Sequence, residues 1–150
     1  MATDLKIFVL ADTHDKLPAN LESLAVGADE IWHLGDVCAP AILQAIENYG
    51  PPVTLVRGNC DVIPDWPLML DVKRNGLRFR LVHIPPDDIP DGVDVVLHGH
   101  THVPRNESWN GVRFLNPGCV TRPNRGAPPS VAFLKIAPDG ELEWKLTTLP

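Results

Sequence analysis

Three two-residue turn signals, Asn75-Gly76, Asn110-Gly111 and Asp139-Gly140, fall from the midpoint of the chain onward, each between two β-prone runs. Asn-Gly and Asp-Gly pairs adopt the positive φ values of a tight hairpin at little strain, so each predicts two antiparallel strands. The strands are residues 68–72 with 77–83, 105–109 with 112–115, and 130–137 with 142–149. The first half reads differently. Apolar, β-branched runs at 6–11, 30–34 and 53–57 alternate with helical spacing at 18–25 and 39–49. That β-α-β-α-β order predicts parallel strands joined by crossover helices. A further strand, residues 93–98, stands alone after a loop rich in proline and aspartate. The chain is therefore expected to be α/β, with two packed sheets, a mostly antiparallel second half and a few helices outside.

Composition narrows the function. At 150 residues, 44% hydrophobic and 21% charged, the chain suits one globular domain, residues 1–150. A formal charge of −6 argues against broad nucleic-acid or anionic-membrane binding. It leaves a phosphate-bearing substrate open, because bound cations can supply positive charge locally. No apolar run is long enough for a signal segment or a membrane span. Three cysteines (Cys38, Cys60, Cys119) without a C-x-x-C pair suit reduced thiols in a cytoplasmic protein.

The polar residues gather where strands end. Asp12-Thr13-His14 follows the first strand, Gly35-Asp36 the second and Gly58-Asn59 the third, His83 closes one hairpin arm, and His98-Gly99-His100-Thr101-His102 follows residues 93–97. In open α/β sheets, ligands bind beyond the carboxyl ends of the strands. One aspartate after a strand is a turn former or helix cap. Five strand ends delivering Asp, Asn or His are hard to explain that way. If residues 98–102 stay extended, a period of two puts all three histidines on one side. The donor set is nitrogen and oxygen with no obvious thiolate, which suits Mn, Fe, Ni or Zn. It is also too large for one ion. A bridging carboxylate, assigned here to Asp36, would hold two cations about 3.5–4 Å apart.

These residues, in this order, resemble the calcineurin-like metallophosphoesterase superfamily, whose motif series is D-x-H, G-D, G-N-x-[DE], H and G-H-x-H. Here the series is Asp12-Thr13-His14, Gly35-Asp36, Gly58-Asn59-Cys60-Asp61, His83 and Gly99-His100-Thr101-His102, spread over most of the chain. The length, Arg57-Gly58-Asn59-Cys60-Asp61 and Asn116-Pro117-Gly118 are similar to the small bacterial and archaeal phosphodiesterase branch, which shares its fold with the eukaryotic retromer subunit. The resemblance implies a four-layer α/β/β/α sandwich of two mixed sheets flanked by helices. It also implies two divalent metal ions, manganese or nickel as usual in this branch, iron or zinc elsewhere. One ion would be held by Asp12, His14, Asp36 and His102, the other by Asp36, Asn59, His83 and His100, with Asp36, Asn59 and His100 also serving catalysis. The implied reaction is hydrolysis of a small phosphodiester by a hydroxide bridging the metals. The alternatives are a non-catalytic protein-interaction scaffold on the same fold and a single-metal structural site. Self-association as a homo-oligomer stays open.

Two departures from the superfamily pattern stand out. Cys60 occupies the position where most members carry a histidine that helps the leaving group depart; a neutral thiol is poor in that role. After His83 only a short proline-rich loop (84–92) precedes the next strand, so a helix usual there is expected to be absent. The remaining polar residues take plainer readings. His33 is expected to be a satisfied core histidine and Asp61 a positioning group. His98 would line the pocket without binding metal, and Cys38 and Cys119 would be small buried apolar groups. Arg122, Asn124 and Arg125 are loop residues that could reach a phosphate, and the four tryptophans serve packing.

Overall fold

The computed structural model describes residues 3–149. Strand β1 (Leu5–Leu10) is the central element of the first sheet, pairing in parallel with β2 (Glu30–His33) on one side and antiparallel with β9 (Ser130–Ile136) on the other. The full order is β10-β9-β1-β2-β3, with β3 (Val53–Leu55) parallel to β2 and β10 (Leu142–Thr148) antiparallel to β9. Ile7 and Val9 face the second sheet and Phe8 and Leu10 face the helices, all fully buried. A strand covered on both faces has no polar side to alternate with, hence its unbroken apolar run.

Helices α1 (Leu21–Ala25) and α2 (Pro40–Glu47) both lie on the outer face of this sheet, where Leu21, Ala25 and Ile46 pack with Phe8, Leu10 and Ile31. Pro40 opens α2 at the first helical position, where its missing N–H is harmless. The helix expected from residue 18 begins only at Leu21. Pro18 stays in a preceding turn, its carbonyl accepting from the Leu21 N–H at 3.1 Å.

The second sheet runs β4-β5-β6-β8-β7, from β4 (Met69–Arg74), β5 (Leu77–Val82), β6 (Val95–Leu97), β7 (Arg105–Trp109) and β8 (Val112–Asn116). The hairpins β4–β5 and β7–β8 form on their two-residue turns, with Asn75 at φ 47° and Asn110 at φ 48°, whereas β9–β10 closes through the longer loop 137–141, in which Gly140 alone takes positive φ (89°). β6, which carries no hairpin signal, pairs in parallel with both β5 and β8, making this sheet mixed as expected. Residues 83–94 return the chain for that pairing, and no helix forms within them. Ile89 and Val93 from this loop cover Val96 and Phe114. The outer layer on this side is thus a loop, as the shortened segment implies.

Between the sheets Ile7, Val9, Trp32, Phe79, Leu81 and Leu97 form the main core, with Trp32 edge-on to Phe79 at 5.4 Å. Trp144 packs against this core, whereas Trp109 lies on the surface at 47% exposure. Among the described residues no helix is long and apolar enough to cross a membrane.

Candidate metal centre

Backbone pairing continues past the ends of β1 and β2, and this aligns their loops. The Asp12 N–H donates to Gly35 O (2.9 Å), and the His14 N–H donates to Asp36 O (3.0 Å). The β3 loop is then pinned by Asp61, whose Oδ2 accepts from the Asp36 and Gly58 N–H groups (2.9 and 2.7 Å) and whose Oδ1 accepts from Cys38 N–H (2.7 Å). Asp61 therefore has the positioning role expected of it. From the second sheet come His83 after β5 and His100 and His102 after β6. Asp12 Oδ2 accepts from the His100 N–H at 3.3 Å, tying the two sets of loops together.

All seven residues singled out as ligands converge on this edge. Asp12 Oδ1 lies 3.7 Å from His14 Nε2, 3.5 Å from His102 Nε2 and 3.8 Å from His83 Nε2. Asp36 Oδ2 lies 3.6 Å from His14 Nε2 and 3.3 Å from His83 Nε2. Asp12, His14, Asp36 and His102 can each bring a ligating atom within 4.8 Å of the others. On the far side of Asp36, the His83 and His100 rings lie 5.2 Å apart, and His100 Nδ1 is 3.2 Å from Asn59 Oδ1. Asp12, Asp36 and His83 form a buried floor, and Asn59 and His100 an exposed rim.

Two histidines are held in the tautomer a metal needs. His83 Nδ1 meets Leu34 O at 2.8 Å and His102 Nδ1 meets Arg122 O at 2.6 Å. A carbonyl only accepts, so each Nδ1 carries the hydrogen and leaves Nε2 with its lone pair toward the cluster. Among the described residues, the buried side-chain polar atoms without a hydrogen-bond partner are Asp12 Oδ1 and His83 Nε2. Both face the same point. A buried carboxylate oxygen opposite an imidazole lone pair costs about 1–3 kcal/mol each unless a proton or cation lies between them. The residues therefore fit a metal ion.

The electrostatics agree. Burial raises the Asp12 carboxyl to about 6, against the pull of His83 and His102. Burial also works to raise Asp36, but His83, the Cys60 N–H (2.8 Å to Oδ1) and His14 outweigh it and hold that carboxyl at about 2. Burial lowers His14 and His100, keeping them neutral and ready to donate a lone pair. His83 is raised because Asp36, Asp12 and the Leu34 carbonyl overcome its burial.

Positive φ values mark the site as strained. Asp12 (58°), His14 (45°), Asp36 (61°), His100 (71°) and His102 (61°) all lie in the left-handed region. Each such residue costs about 1 kcal/mol or more, and such residues cluster where function requires them. The same conformations overturn the expectation of an extended run through 98–102. His98 turns from its neighbours, buried, with Nδ1 against Gly99 O (2.9 Å) and Nε2 against Arg105 (3.1 Å). His33 is fully buried and satisfied, as expected. Cys38 is not: it is half-buried, with Sγ 3.8 Å from His14 Nδ1. Arg122 supplies its carbonyl to His102, while Asn124 and Arg125 line a cavity of about 570 Å³ beside His100. The link from Arg105 to His98 was not legible, because it joins a hairpin strand to a loop.

Gly58 has no room for a side chain. A methyl there would overlap Asp36 Oδ1 and the Asp36 backbone nitrogen. Gly58→Ala is expected to cost about 1–3 kcal/mol in urea unfolding. It should also weaken metal uptake, read by equilibrium dialysis, because Asp36 must shift. Unchanged dialysis would show that Asp36 is not a ligand.

The calcineurin-like phosphoesterase superfamily domain model matches residues 5–139. The chain belongs to this superfamily. Its members include a probable metallophosphoesterase of Methanothermobacter thermautotrophicus, 32% identical, with 90% of this chain and 87% of that protein covered. Phosphodiesterase YfcE of Escherichia coli K12 is 29% identical, with 87% of each covered. Among solved structures, Vacuolar Protein Sorting 29 from Cryptosporidium parvum superposes with a TM-score of 0.76 at 23% identity, covering 98% of both chains, and shares the fold. The superfamily is metal-dependent, and the Asp/His cluster lies where its motif series falls.

Proposed function

We propose that this phosphoesterase is a dinuclear metal-dependent phosphodiesterase acting on a small phosphodiester in the cytoplasm. The observation that carries the reading is the position of Asp36 Oδ2, within 3.6 Å of both His14 Nε2 and His83 Nε2. One oxygen so placed would serve two ligand sets: Asp12, His14, Asp36 and His102 for one ion, and Asp36, Asn59, His83 and His100 for the other. The nitrogen and oxygen donors suit manganese or nickel, and also iron or zinc. When bound, such a pair supplies an acidified water as nucleophile and offsets charge developing on the phosphoryl oxygens.

The chain's own groups do the rest. Asp36, ionised throughout the neutral range, fixes the two sets relative to each other. Asn59 and His100 stand at the exposed rim, where a phosphate would arrive; the Asn59 Nδ2 amide offers a hydrogen bond to its oxygens, while His100 gives its one N–H to Asn59 Oδ1 (3.2 Å). Two cavities flank this rim. One, of about 570 Å³, is lined by Arg105, Asn124 and Arg125; the other, of about 340 Å³, by Leu68, Val82 and Ile84. A diester has two arms to place, and a monoester one. Burial, followed by Asp36, raises the Cys60 thiol, so it stays protonated and carries no positive charge toward a leaving oxygen. Leaving groups that depart without a proton are therefore favoured.

Metal-stripped protein reloaded with manganese or nickel is expected to hydrolyse an aryl phosphodiester, and to do so at least about tenfold faster than an alkyl monoester. Turnover without metal, or a preference for the alkyl monoester, would overturn the reading. The scaffold alternative rests on the likeness to Vacuolar Protein Sorting 29. Folded protein inactive with every ion would favour it.

A further inference from the structure

The two nitrogens of His14 face different surroundings. Nε2 points into the centre described above, 3.6 Å from Asp36 Oδ2 and 3.7 Å from Asp12 Oδ1. Nδ1 points away from it, toward Cys38 Sγ at 3.8 Å. In His83 and His102 the corresponding nitrogen is occupied by a carbonyl; among the described residues His14 Nδ1 has none. Cys60 completes the group, since His14, Cys38 and Cys60 each bring one ligating atom within 4.8 Å of the others.

The backbone sets both thiols. The Cys38 N–H donates to Asp61 Oδ1 (2.7 Å), and the residue sits at φ 73°. The Cys60 N–H donates to Asp36 Oδ1 (2.8 Å). Cys60 is exposed, so solvent ions can reach it. Burial, then Cys60 and the carboxylates of Asp15, Asp36 and Asp61, push the Cys38 thiol up to about 12, so its sulfur gives up the proton only to a cation that replaces it.

We propose that Cys38 Sγ, Cys60 Sγ and His14 Nδ1 form a second type of metal site, selective for a soft d¹⁰ cation of the zinc–cadmium class. Two sulfurs and one imidazole nitrogen make a Cys₂His set, with a fourth position for water. Zinc bond lengths of about 2.3 Å to sulfur and about 2.0–2.1 Å to nitrogen imply ligand separations of about 3.5–3.8 Å in a tetrahedron. The His14–Cys38 separation of 3.8 Å already matches. No separation in the group exceeds 4.8 Å, so the widest closes by about 1 Å at most, within the reach of rotation at an exposed cysteine. Each thiol releases its proton to solvent as its sulfur takes the cation, and nothing is oxidised. Thiolates favour zinc and cadmium over manganese, so adjoining sites competing for one imidazole would sort different ions. A soft cation on Nδ1 leaves the ring's one hydrogen on Nε2 and so takes His14 out of the other centre; holding both ions at once would require the ring to release that hydrogen to solvent as well.

This site goes beyond the phosphodiesterase reading and is tested separately from it. Reduced, metal-free protein is titrated with cadmium while sulfur-to-cadmium charge-transfer absorption is followed in the ultraviolet. Nitrogen and oxygen ligands do not give that band. The band is expected to saturate at one cadmium per chain. It should fall by about half in Cys38→Ser and in Cys60→Ser, and vanish in the double variant, which keeps buried Cys119. Cadmium should also slow alkylation of Cys60 in the wild-type protein, a readout that needs no variant to fold. No band with excess cadmium, a band that survives in the folded double variant, or unprotected Cys60 would each overturn the proposal. Manganese-dependent turnover enters none of these readings.

Discussion

Asp36→Asn is expected to lower phosphodiester turnover by at least about a thousandfold while leaving the protein folded. The substitution is nearly isosteric, and asparagine tolerates the φ of 61° at this position better than most residues. Its remaining carbonyl oxygen can still accept the Cys60 N–H that Oδ1 holds at 2.8 Å. What disappears is Oδ2, the oxygen facing both His14 and His83, together with a negative charge held at about 2 and so present at every working pH. An amide places N–H donors or a neutral oxygen where the bridging function requires an anion. The measurement pairs turnover with metal content and thermal unfolding. Retained turnover would remove Asp36 from the bridging role. Lost turnover with a collapsed fold would leave the question to Gly58→Ala.

The second large effect is on acid stability, and it comes from His33. This residue is fully buried between two hydrogen bonds. Gly35 N–H donates to Nδ1 at 3.1 Å, so Nε2 carries the hydrogen and donates to Thr13 Oγ1 at 3.1 Å. A second proton would land on the nitrogen already accepting from Gly35. Burial, aided by His83, accordingly lowers His33 from 6.5 to about 3. The unfolded chain takes up this proton near its ordinary value and the fold resists it until about 3. Stability from this residue is therefore intact above about pH 6.5 and lost as pH falls, reaching about 3 kcal/mol by about pH 4. Asp12 opposes the trend in metal-free protein, because its raised carboxyl lets the fold take up a proton before the unfolded chain does. The clean reading is thus a difference. Between about pH 7 and pH 4, metal-free wild type should lose about 3 kcal/mol more in urea unfolding than His33→Gln. Parallel pH profiles would show that His33 titrates freely in the fold.

How far the sequence carried these conclusions depended on the range of the interactions involved. Asn75-Gly76 and Asn110-Gly111 specify their hairpins locally, through backbone conformations that few other pairs accept, and both hairpins form. The run through Ile7–Leu10 shows burial on both faces because no residue in it is polar. The convergence of Asp12, Asp36, Asn59, His83, His100 and His102 was legible from their common place after strands, since parallel strands carry their ends to one edge. The parallel pairing of β6 was not, because it depends on where residues 83–94 return the chain. The place of His98 beside the cavity and outside the ligand set was legible, but its turn away from His100 and His102 was not. Alternation holds only in extended backbone, and His100 and His102 leave it. Cys38 was taken for packing because spacing alone does not show that Asp61 holds its backbone with the sulfur toward His14.

The loops bearing Asp12, His14, Asp36 and Asn59 belong to the first sheet, and those bearing His83, His100 and His102 to the second. A cation gripped from both sides acts as a rivet between two plates that are otherwise held by apolar packing and few polar ties. At this edge the sandwich would breathe less when loaded. Amides in the loops after β2 and β6 would exchange more slowly with solvent, while those near the β9–β10 hairpin, away from the rivet, would keep their pace.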